Sequence, residues 1–296
     1  IRVSVAAGGA QANNLSDAPA VSASGRFVAF HSFASNLAPG LSGSDVYRKD
    51  LATGAIVRVS VGVGGAQAVG SNDMAAPRNV MTADGRFVLF LSEADNLVDD
   101  DRNGKQDLFV RDVELGRNER VTVSTAGLEA NGHSWSGVLS ADATVVAFWS
   151  SATNLVPGDT NGADDVFVRD RRLGTTSRAS VTSEGAQGIV SPRTGTTYPP
   201  AGYVPDISAD GRVVAFLSAA DLGGDATRLL VDGFVHDRLT HQTTRVSSAV
   251  NTDIPPNWYP SPAVSADGRS VAFASMGSTI VAGDTNGVAD VFLVDL

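Results

Sequence analysis

The nine residues Ser208-Ala209-Asp210-Gly211-Arg212-Val213-Val214-Ala215-Phe216 decide the fold, because near-copies of this stretch recur along the chain. The copies start at Ser22, Thr82, Ser140, Ser208 and Ser265, at spacings of 60, 58, 68 and 57 residues. Each copy is followed by a strand that begins with Asp, as at residues 165–170, and four are then followed by a strand such as Arg58-Val59-Ser60-Val61. Repeats of several strands at such a period indicate a propeller or a solenoid.

The second copy shows the four strands of one unit. Strand A is predicted over residues 78–82, strand B over 86–92, strand C over 107–112 and strand D over 119–124. The Asp84-Gly85 pair predicts a tight hairpin turn between A and B. In the first copy residues 27–30 are all apolar, so strand B needs cover on both faces. Four-stranded sheets packed face to face around an axis give that cover.

The D strands indicate how the chain closes. Strands A to C occur five times, and the fifth copy of the D pattern is Arg2-Val3-Ser4-Val5 at the N-terminus. We therefore predict an all-β fold, a five-bladed β-propeller of four-stranded antiparallel blades, with residues 1–5 completing the last blade beside residues 290–295. Residues 1–296 are predicted to form one domain. Its repeat units cover residues 17–61, 76–124, 135–182, 203–248, and 260–296 together with 1–5.

The motifs Ser-Ala-Asp-Gly-Arg-x-Val-Ala-Phe and Asp-Val-Phe-Val-x-Asp resemble the TolB-type propeller repeats of bacterial periplasmic and secreted proteins. The resemblance covers essentially the whole chain. It departs locally, because Ser24 replaces the turn Asp in unit one and Ala143-Thr144 replaces Gly-Arg in unit three. Similar repeats occur in protein-docking propellers, in propeller domains of serine peptidases and in some polysaccharide lyases. The resemblance thus implies the fold and an extracellular or periplasmic location, and leaves the function open.

Composition and charge exclude several classes of partner. The 296 residues carry a formal net charge of -10, and Lys49 and Lys105 are the only lysines. Because no basic run is present to neutralise phosphates, nucleic acid is not an expected partner. The absence of cysteine excludes disulfides, zinc-thiolate sites and cysteine nucleophiles. No apolar run approaches the roughly 18 residues that span a bilayer, so membrane insertion is not expected.

The B–C loops share the pattern Asp-x-Asn-Gly-x-x-Asp in units two, three and five. Oxygen side chains two residues apart, a turn glycine and a later carboxylate suit a hard cation, so Ca²⁺ is the predicted cofactor. Alternatively, the Asp and Asn side chains form Asx-turns and the last Asp ties the loop to strand C. Asp45 and Asp232 occupy this last position without the rest of the pattern, which favours a structural role there. The candidate metal ligands are Asp101, Asn103, Asp107, Asp159, Asn161, Asp165, Asp284, Asn286 and Asp290.

The D–A loops carry most of the unusual aromatic residues and, from strand direction, share one face with the B–C loops. Aromatic rings there suit stacking on a sugar or a peptide, or they plug the mouth of the channel. Asp206 stands where strand A holds an apolar residue in the other units, so it is expected in the channel, as a ligand-binding group or paired with Arg78. The candidate ligand-binding residues are Trp135, Tyr198, Tyr203, Asp206, Trp258 and Tyr259.

Catalytic patterns are sparse. No Gly-x-Ser-x-Gly with a suitable later histidine is present, which argues against a peptidase with its own hydrolase domain. The histidines His31, His236 and His241 fall on separate elements. We therefore predict a secreted or periplasmic, non-catalytic propeller that binds a glycan or protein ligand. The alternative is a carbohydrate-active enzyme, a polysaccharide lyase or glycosidase, because His133, Arg193, Tyr198 and Tyr203 fall on the same face.

Overall fold

The computed structural model describes residues 1–38, 43–188, 204–218, 220–223, 231–247, 261–275, 277 and 280–296. Within these ranges the chain consists of β-strands and one 3₁₀ turn at Val63–Gly65. No helix in the described part is long and apolar enough to cross a membrane. The predicted all-β class is therefore confirmed.

The strands form five antiparallel sheets that follow one another along the chain. The first contains β1 (Ser16–Val21), β2 (Phe27–Ser32), β3 (Asp45–Asp50) and β4 (Ile56–Arg58). The second contains β5 (Asn72–Met74), β6 (Phe87–Ser92), β7 (Asp107–Asp112) and β8 (Arg117–Arg120). The third contains β9 (Ser134–Leu139), β10 (Val145–Ser150), β11 (Asp165–Asp170) and β12 (Thr175–Arg178). The fourth contains β13 (Asp206–Ile207), β14 (Val213–Ser218), β15 (Asp232–Asp237) and β16 (Gln242–Arg245), and the fifth contains β17 (Ala263–Val264), β18 (Ser270–Ser275) and β19 (Asp290–Asp295).

The predicted strands B and C of the second unit are found as β6 and β7, whereas strands A and D are displaced. The inner strand β5 lies before the predicted A segment, because Asn79 adopts a φ of 52° and interrupts the ladder until the bridge between Met81 and Val88. Positive φ at a non-glycine residue is rare and interrupts the regular extended backbone. The outer strand β8 begins two residues before the predicted D strand and ends at Arg120.

Each sheet has a stacked aromatic pair on its second and third strands. The ring centroids are 5.8 Å apart for Phe90 and Phe109, and 5.8 Å apart for Phe148 and Phe167. The corresponding pairs are Phe30 with Tyr47, Phe216 with Phe234 and Phe273 with Phe292. All residues of β2 and β10 are buried, which confirms that the B strands are covered on both faces. Offset ring pairs of this kind stabilise a core beyond their buried area.

The two aspartates of the C-strand motif serve different ends of the sheet. The last one pairs with the arginine of the Ser-Ala-Asp-Gly-Arg turn, as Arg212 Nε and Nη2 lie 2.9 and 2.6 Å from the two Asp237 oxygens. Arg26 with Asp50, and Arg86 with Asp112, repeat this bidentate arrangement. The two sequence motifs therefore recur together because their side chains contact each other across the B–C ladder.

Consecutive sheets contact each other through the A–B turn. A Cβ on Gly85 of the second sheet would lie 2.5 Å from Phe27 Cγ of the first, and one on Gly211 of the fourth would lie 2.7 Å from Val145 of the third. Backbone bonds join the same turns, from Ala141 N to Ala209 O and from Ala209 N to Ala266 O, both at 2.9 Å. These contacts place the sheets side by side as blades.

The fifth sheet has three strands, and no described residue pairs with the outer edge of β19. Val291 and Leu293 on this strand are 78% and 70% exposed. Residues 3–12 instead lie on the first sheet, where Val3 packs against the cluster around Phe30 and Tyr47. The predicted closure by residues 1–5 is thus not observed, and neither it nor the blade count of a closed ring is confirmed.

The A–B turns give a matched pair of substitutions. Gly25 and Gly85 share a φ of 70°, but a Cβ on Gly25 meets nothing within 4 Å. Both Gly→Ala changes carry the cost of a left-handed alanine, about 1–2 kcal/mol. Gly85→Ala should lower the free energy of unfolding by roughly 1–3 kcal/mol more, because it overpacks against Phe27. Urea denaturation of the two variants measures the difference, and equal losses would show that this turn does not pack tightly on the first sheet.

Candidate functional site

In the first, third and fourth sheets, the arginine of the D strand approaches the first aspartate of strand C. Arg178 Nη1 lies 3.0 Å from Asp165 Oδ2, and Arg58 Nε lies 3.4 Å from Asp45 Oδ2. In the fourth sheet, Arg245 Nη1 lies 3.6 Å from Asp232 Oδ2. The aspartates Asp45, Asp165 and Asp232 are 1%, 2% and 6% exposed, so these charges meet inside the protein.

The hydroxyl in the Arg-x-Ser/Thr pattern binds the same aspartate. Ser60 Oγ donates to Asp45 Oδ1 at 2.7 Å, Ser180 Oγ to Asp165 Oδ1 at 2.5 Å, and Ser247 Oγ to Asp232 Oδ1 at 3.0 Å. Thr122 donates to Asp107 in the second sheet. Residues two apart in a strand share a face, so arginine and hydroxyl reach one carboxylate together. The sequence contained this signal, because the Arg-x-Ser/Thr pattern and the Asp recur in the same units.

The predicted calcium loops are closed by their own hydrogen bonds. In the second sheet, Lys105 N donates to Asn103 Oδ1 at 2.8 Å, and Asn103 Nδ2 donates to Asp107 Oδ2 at 2.7 Å. Ala163 N binds Asn161 Oδ1 at 3.0 Å in the third sheet, and Val288 N binds Asn286 Oδ1 at 3.0 Å in the fifth. These are Asx-turns, the arrangement given above as the alternative to a calcium site.

A guanidinium occupies the carboxylate cluster in two of the three loops. Arg120 Nη1 lies 3.1 Å from Asp101 Oδ1, and Arg178 Nη1 lies 3.2 Å from Asp159 Oδ1 as well as close to Asp165. Within the described residues, no group of three or more histidine, cysteine or acidic side chains is arranged to hold a metal. The donor sets of these two loops therefore do not fit calcium, since a cation there would face an arginine. The loop of Asp284, Asn286 and Asp290 has no such arginine among the described residues.

Burial makes these carboxylates costly to ionise. It raises the pKa of Asp107 to about 6, and burial followed by the charge of Asp165 raises the pKa of Asp164 to about 6. A folded pKa above the unfolded value means that such a group favours the folded state most at low pH, and loses that contribution as the pH rises through about 4 to 6. The charge of Arg120 lowers the pKa of Asp107, and that of Arg178 lowers the pKa of Asp159, so each arginine offsets part of the cost of burial.

Asp206 joins three blades at their inner strands. Its side chain accepts from Asn79 Nδ2 at 2.7 Å and from Val264 N at 2.8 Å, and Arg78 Nε lies 3.6 Å away. Arg78 Nη2 also donates to Pro262 O at 2.7 Å. The predicted pairing with Arg78 is present. Because Asp206 is 2% exposed and both its oxygens have partners, its contacts favour a structural role over ligand binding.

Trp135 lies on β9 and not on a loop. Its ring centroid is 4.6 Å from that of the buried Trp149 and 6.4 Å from that of His133. His133 Nδ1 accepts from Gln106 N of the neighbouring B–C loop at 3.1 Å, so the two kinds of loop meet on one face as predicted. Trp135 is half-buried, with one part packed and one part in solvent. The predicted partners Tyr198, Tyr203, Trp258 and Tyr259 lie outside the described residues.

A serine, a histidine and an aspartate in the first sheet have the connectivity of a catalytic triad, which the sequence did not indicate. His31 Nδ1 lies 2.7 Å from Asp17 Oδ1, and His31 Nε2 lies 2.9 Å from Ser44 Oγ. Ser44 Oγ, however, donates to Asn72 O at 2.6 Å. A carbonyl can only accept, so the single hydroxyl proton points to Asn72 and His31 acts as donor to Oγ. A serine in this arrangement is not activated as a nucleophile.

Comparisons with known proteins support the fold. No family model matches the chain, and no curated protein matches it. A prolyl endopeptidase structure matches 95% of this chain and 34% of its own at 14% identity, with a TM-score of 0.53. The putative TolB of Agrobacterium tumefaciens matches 97% of this chain and 79% of its own (16% identity, TM-score 0.48). TolB of Acinetobacter baumannii matches 88% of this chain (17% identity, TM-score 0.46).

The chain has a β-propeller fold. It spans about half the length of the Acinetobacter protein, 49%, and about a third of the endopeptidase, 34%. At these identities the similarity concerns the blade arrangement only, because sheets of this type carry many unrelated functions. The function has to be argued from the side chains on the loop face.

Proposed function

We propose that the protein is a non-catalytic binding propeller that recognises a glycan or protein ligand on the face that carries the B–C and D–A loops. The observation that carries this proposal is the position of Trp135, a half-buried ring held against Trp149 and His133 on that face. A ring fixed by packing on one side loses little entropy when a ligand stacks on the other.

Several polar groups that could act in catalysis are already paired with other groups of the protein, which supports ligand binding over catalysis. The carboxylates of the second and third B–C loops face arginines, Asp206 is hydrogen-bonded on both oxygens, and the Ser44 hydroxyl donates to Asn72. General acid or base catalysis needs a group that can reach a substrate proton. We extend the proposal to an extracellular or periplasmic location on the resemblance of the repeat motifs alone.

The ring of Trp135 gives the first test of this function. Trp135→Ala should weaken the signal on a glycan and peptide array by about threefold to tenfold, the effect of losing one stacking ring. Phe33→Ala is the matched control, because Phe33 is 42% exposed and stacks edge-on against His31 in another blade. Equal signals from the protein and Trp135→Ala would contradict the proposal. Release of unsaturated or reducing sugar ends would establish the carbohydrate-active alternative instead.

We also propose that residues 1–5 close a five-bladed ring by pairing with β19. The support is internal repetition, since residues 2–12 repeat the pattern of residues 58–68. The two segments also dock alike: Asn36 Nδ2 binds Gln11 O at 2.8 Å, as Asn96 Nδ2 binds Gln67 O at 2.7 Å. The first segment thus docks on the first blade in the same way as the equivalent segment docks on the second.

Cysteine cross-linking tests this closure. The chain has no cysteine, so no native thiol can form a competing disulfide. By the register of β11 with β12, Val3 would face Val291. The double variant Val3→Cys, Val291→Cys should form an intramolecular disulfide. Such a bridge stabilises the folded protein by about 2–4 kcal/mol, so the melting temperature should rise. Val3→Cys with Val69→Cys, an exposed site elsewhere, should stay reduced. Reduced or only intermolecularly linked protein would contradict closure.

We propose calcium only for the loop of Asp284, Asn286 and Asp290, in competition with Arg2. Closure would bring Arg2 to this loop as Arg178 lies at its own, so Arg2→Ala should enhance calcium binding. Millimolar calcium should raise the melting temperature of Arg2→Ala by about 2–4 °C, and that of the unchanged protein by less. Asp284→Asn should abolish the rise and Asp159→Asn should not. No rise in either protein would eliminate calcium as a ligand.

A further inference from the structure

One position of the C strand holds a cation in the first three blades and a histidine in the fourth. The fifth residue of the strand is Lys49, Arg111, Arg169 and then His236. The following turn changes in the same blade. Its left-handed residue is Gly54, Gly116 and Gly174, with φ of 75°, 66° and 68°, and then His241, with φ of 59°. The fourth blade therefore departs from the repeat at two neighbouring positions together.

In the first and third blades the cation fills an acceptor-lined space between two blades. Lys49 Nζ donates to Gly54 O of its own turn at 2.6 Å and to Val5 O of the preceding segment at 3.1 Å. Arg169 Nη1 donates to Gly174 O at 2.9 Å, to Ser124 O at 3.3 Å and to Thr176 Oγ1 at 3.2 Å. Turn carbonyl and neighbouring-blade carbonyl thus form a cradle for an ammonium or guanidinium group.

In the fourth blade this space is open. His236 is shorter than arginine and its Nδ1 lies 2.9 Å from Thr243 Oγ1, so its ring stays inside its own blade. A cleft of about 550 Å³ lies between the third and fourth blades, with His236, His241, Val181, Glu184 and Pro157 in its walls. Burial lowers the pKa of His236 to about 4, so the ring is neutral at pH 7 and does not replace the missing charge.

The side chains around this cleft are also more negative than those at the equivalent place in the third blade. Ala126, two residues after Ser124, corresponds by the repeat to Glu184. From the third blade to the fourth, one positive side chain is therefore removed and one negative side chain is added. Arg178 and Arg238 also line the cleft, but Arg178 contacts Asp159 and Asp165, and Arg238 donates to Gly211 O at 2.7 Å.

We propose that this cleft binds an organic cation, an alkylguanidinium or alkylammonium group, in the place that Lys49 and Arg169 fill in their own blades. Val181, Glu184 and His241 line the cleft, and the repeat places the carbonyls of His241 and Thr182 where those of Gly174 and Ser124 bind Arg169. The source of the cation is a free small molecule or the side chain of a partner protein. Trp135, on which the proposed function rests, does not line this cleft, so the test does not depend on that function.

Histidine NMR signals give a direct measurement, because the chain has four histidines and two of them line the cleft. N-acetyl-arginine amide should shift the imidazole signals of His236 and His241, with those of His31 and His133 as internal references. N-acetyl-citrulline amide, the same shape without the charge, should bind at least about tenfold more weakly. The peptide Gly-Ser-Arg-Ser-Gly forms the second arm, and binding of the peptide alone would identify a protein-borne arginine. Absence of shifts with both arginine probes would overturn the proposal.

Two variants locate the site. His236→Arg restores the repeat residue, so it should fill the cradle, abolish binding and keep or raise the melting temperature. Glu184→Ala restores the residue of the second-blade loop and should weaken binding about threefold to fivefold, the effect of one partly exposed charge. Glu93→Ala, an exposed acid in another blade, is the charge-matched control and should not change binding. Unchanged binding in Glu184→Ala, or equal losses in it and the control, would overturn the proposal even where His236→Arg fails to fold.

Discussion

The buried pair between the D-strand arginine and the first aspartate of strand C is the interaction on which the first, third and fourth blades depend. Desolvating two charges costs several kcal/mol per ion, and attraction repays this only when the remaining hydrogen-bonding capacity is used. The Ser or Thr two residues after the arginine supplies that bond, as Ser180 does for Asp165. These side-chain contacts fix the outermost strand to its neighbour in addition to the backbone hydrogen bonds between the two strands. Loss of the arginine would leave a buried, uncompensated carboxylate.

The D-strand arginines also contact the B–C loops. Because the arginine reaches beyond strand C into the B–C loop, it neutralises Asp101 in the second blade and Asp159 in the third. Oxygen atoms that the loop spacing offers to a hard cation are then already in contact with a guanidinium. In these two loops the guanidinium compensates the carboxylate charge that a hard cation would otherwise compensate.

Much of the fold could be predicted because the same strand pattern recurs in successive units of the sequence. Strands β6 and β7 coincide with the predicted B and C strands almost to the residue, since their apolar runs and terminal aspartates recur. The inner strand of the second blade was misplaced because the left-handed Asn79 has no counterpart in the pattern. The calcium prediction relied on spacing within one loop. The competing arginine comes from a different strand, so only the three-dimensional arrangement reveals it.

Departures from the repeat differ in whether packing compensates for them. Ala143 and His241 both replace a glycine in a left-handed turn, with φ of 56° and 59°. Such a conformation costs a side-chain-bearing residue about 1–2 kcal/mol. Ala143 is fully buried and joins the main core, so its methyl group recovers part of that cost. His241 is exposed and therefore recovers less from packing. Backbone strain that packing does not compensate is expected where a residue serves binding. The strained His241 lies beside His236, which replaces the Lys or Arg found at the same C-strand position in blades one to three.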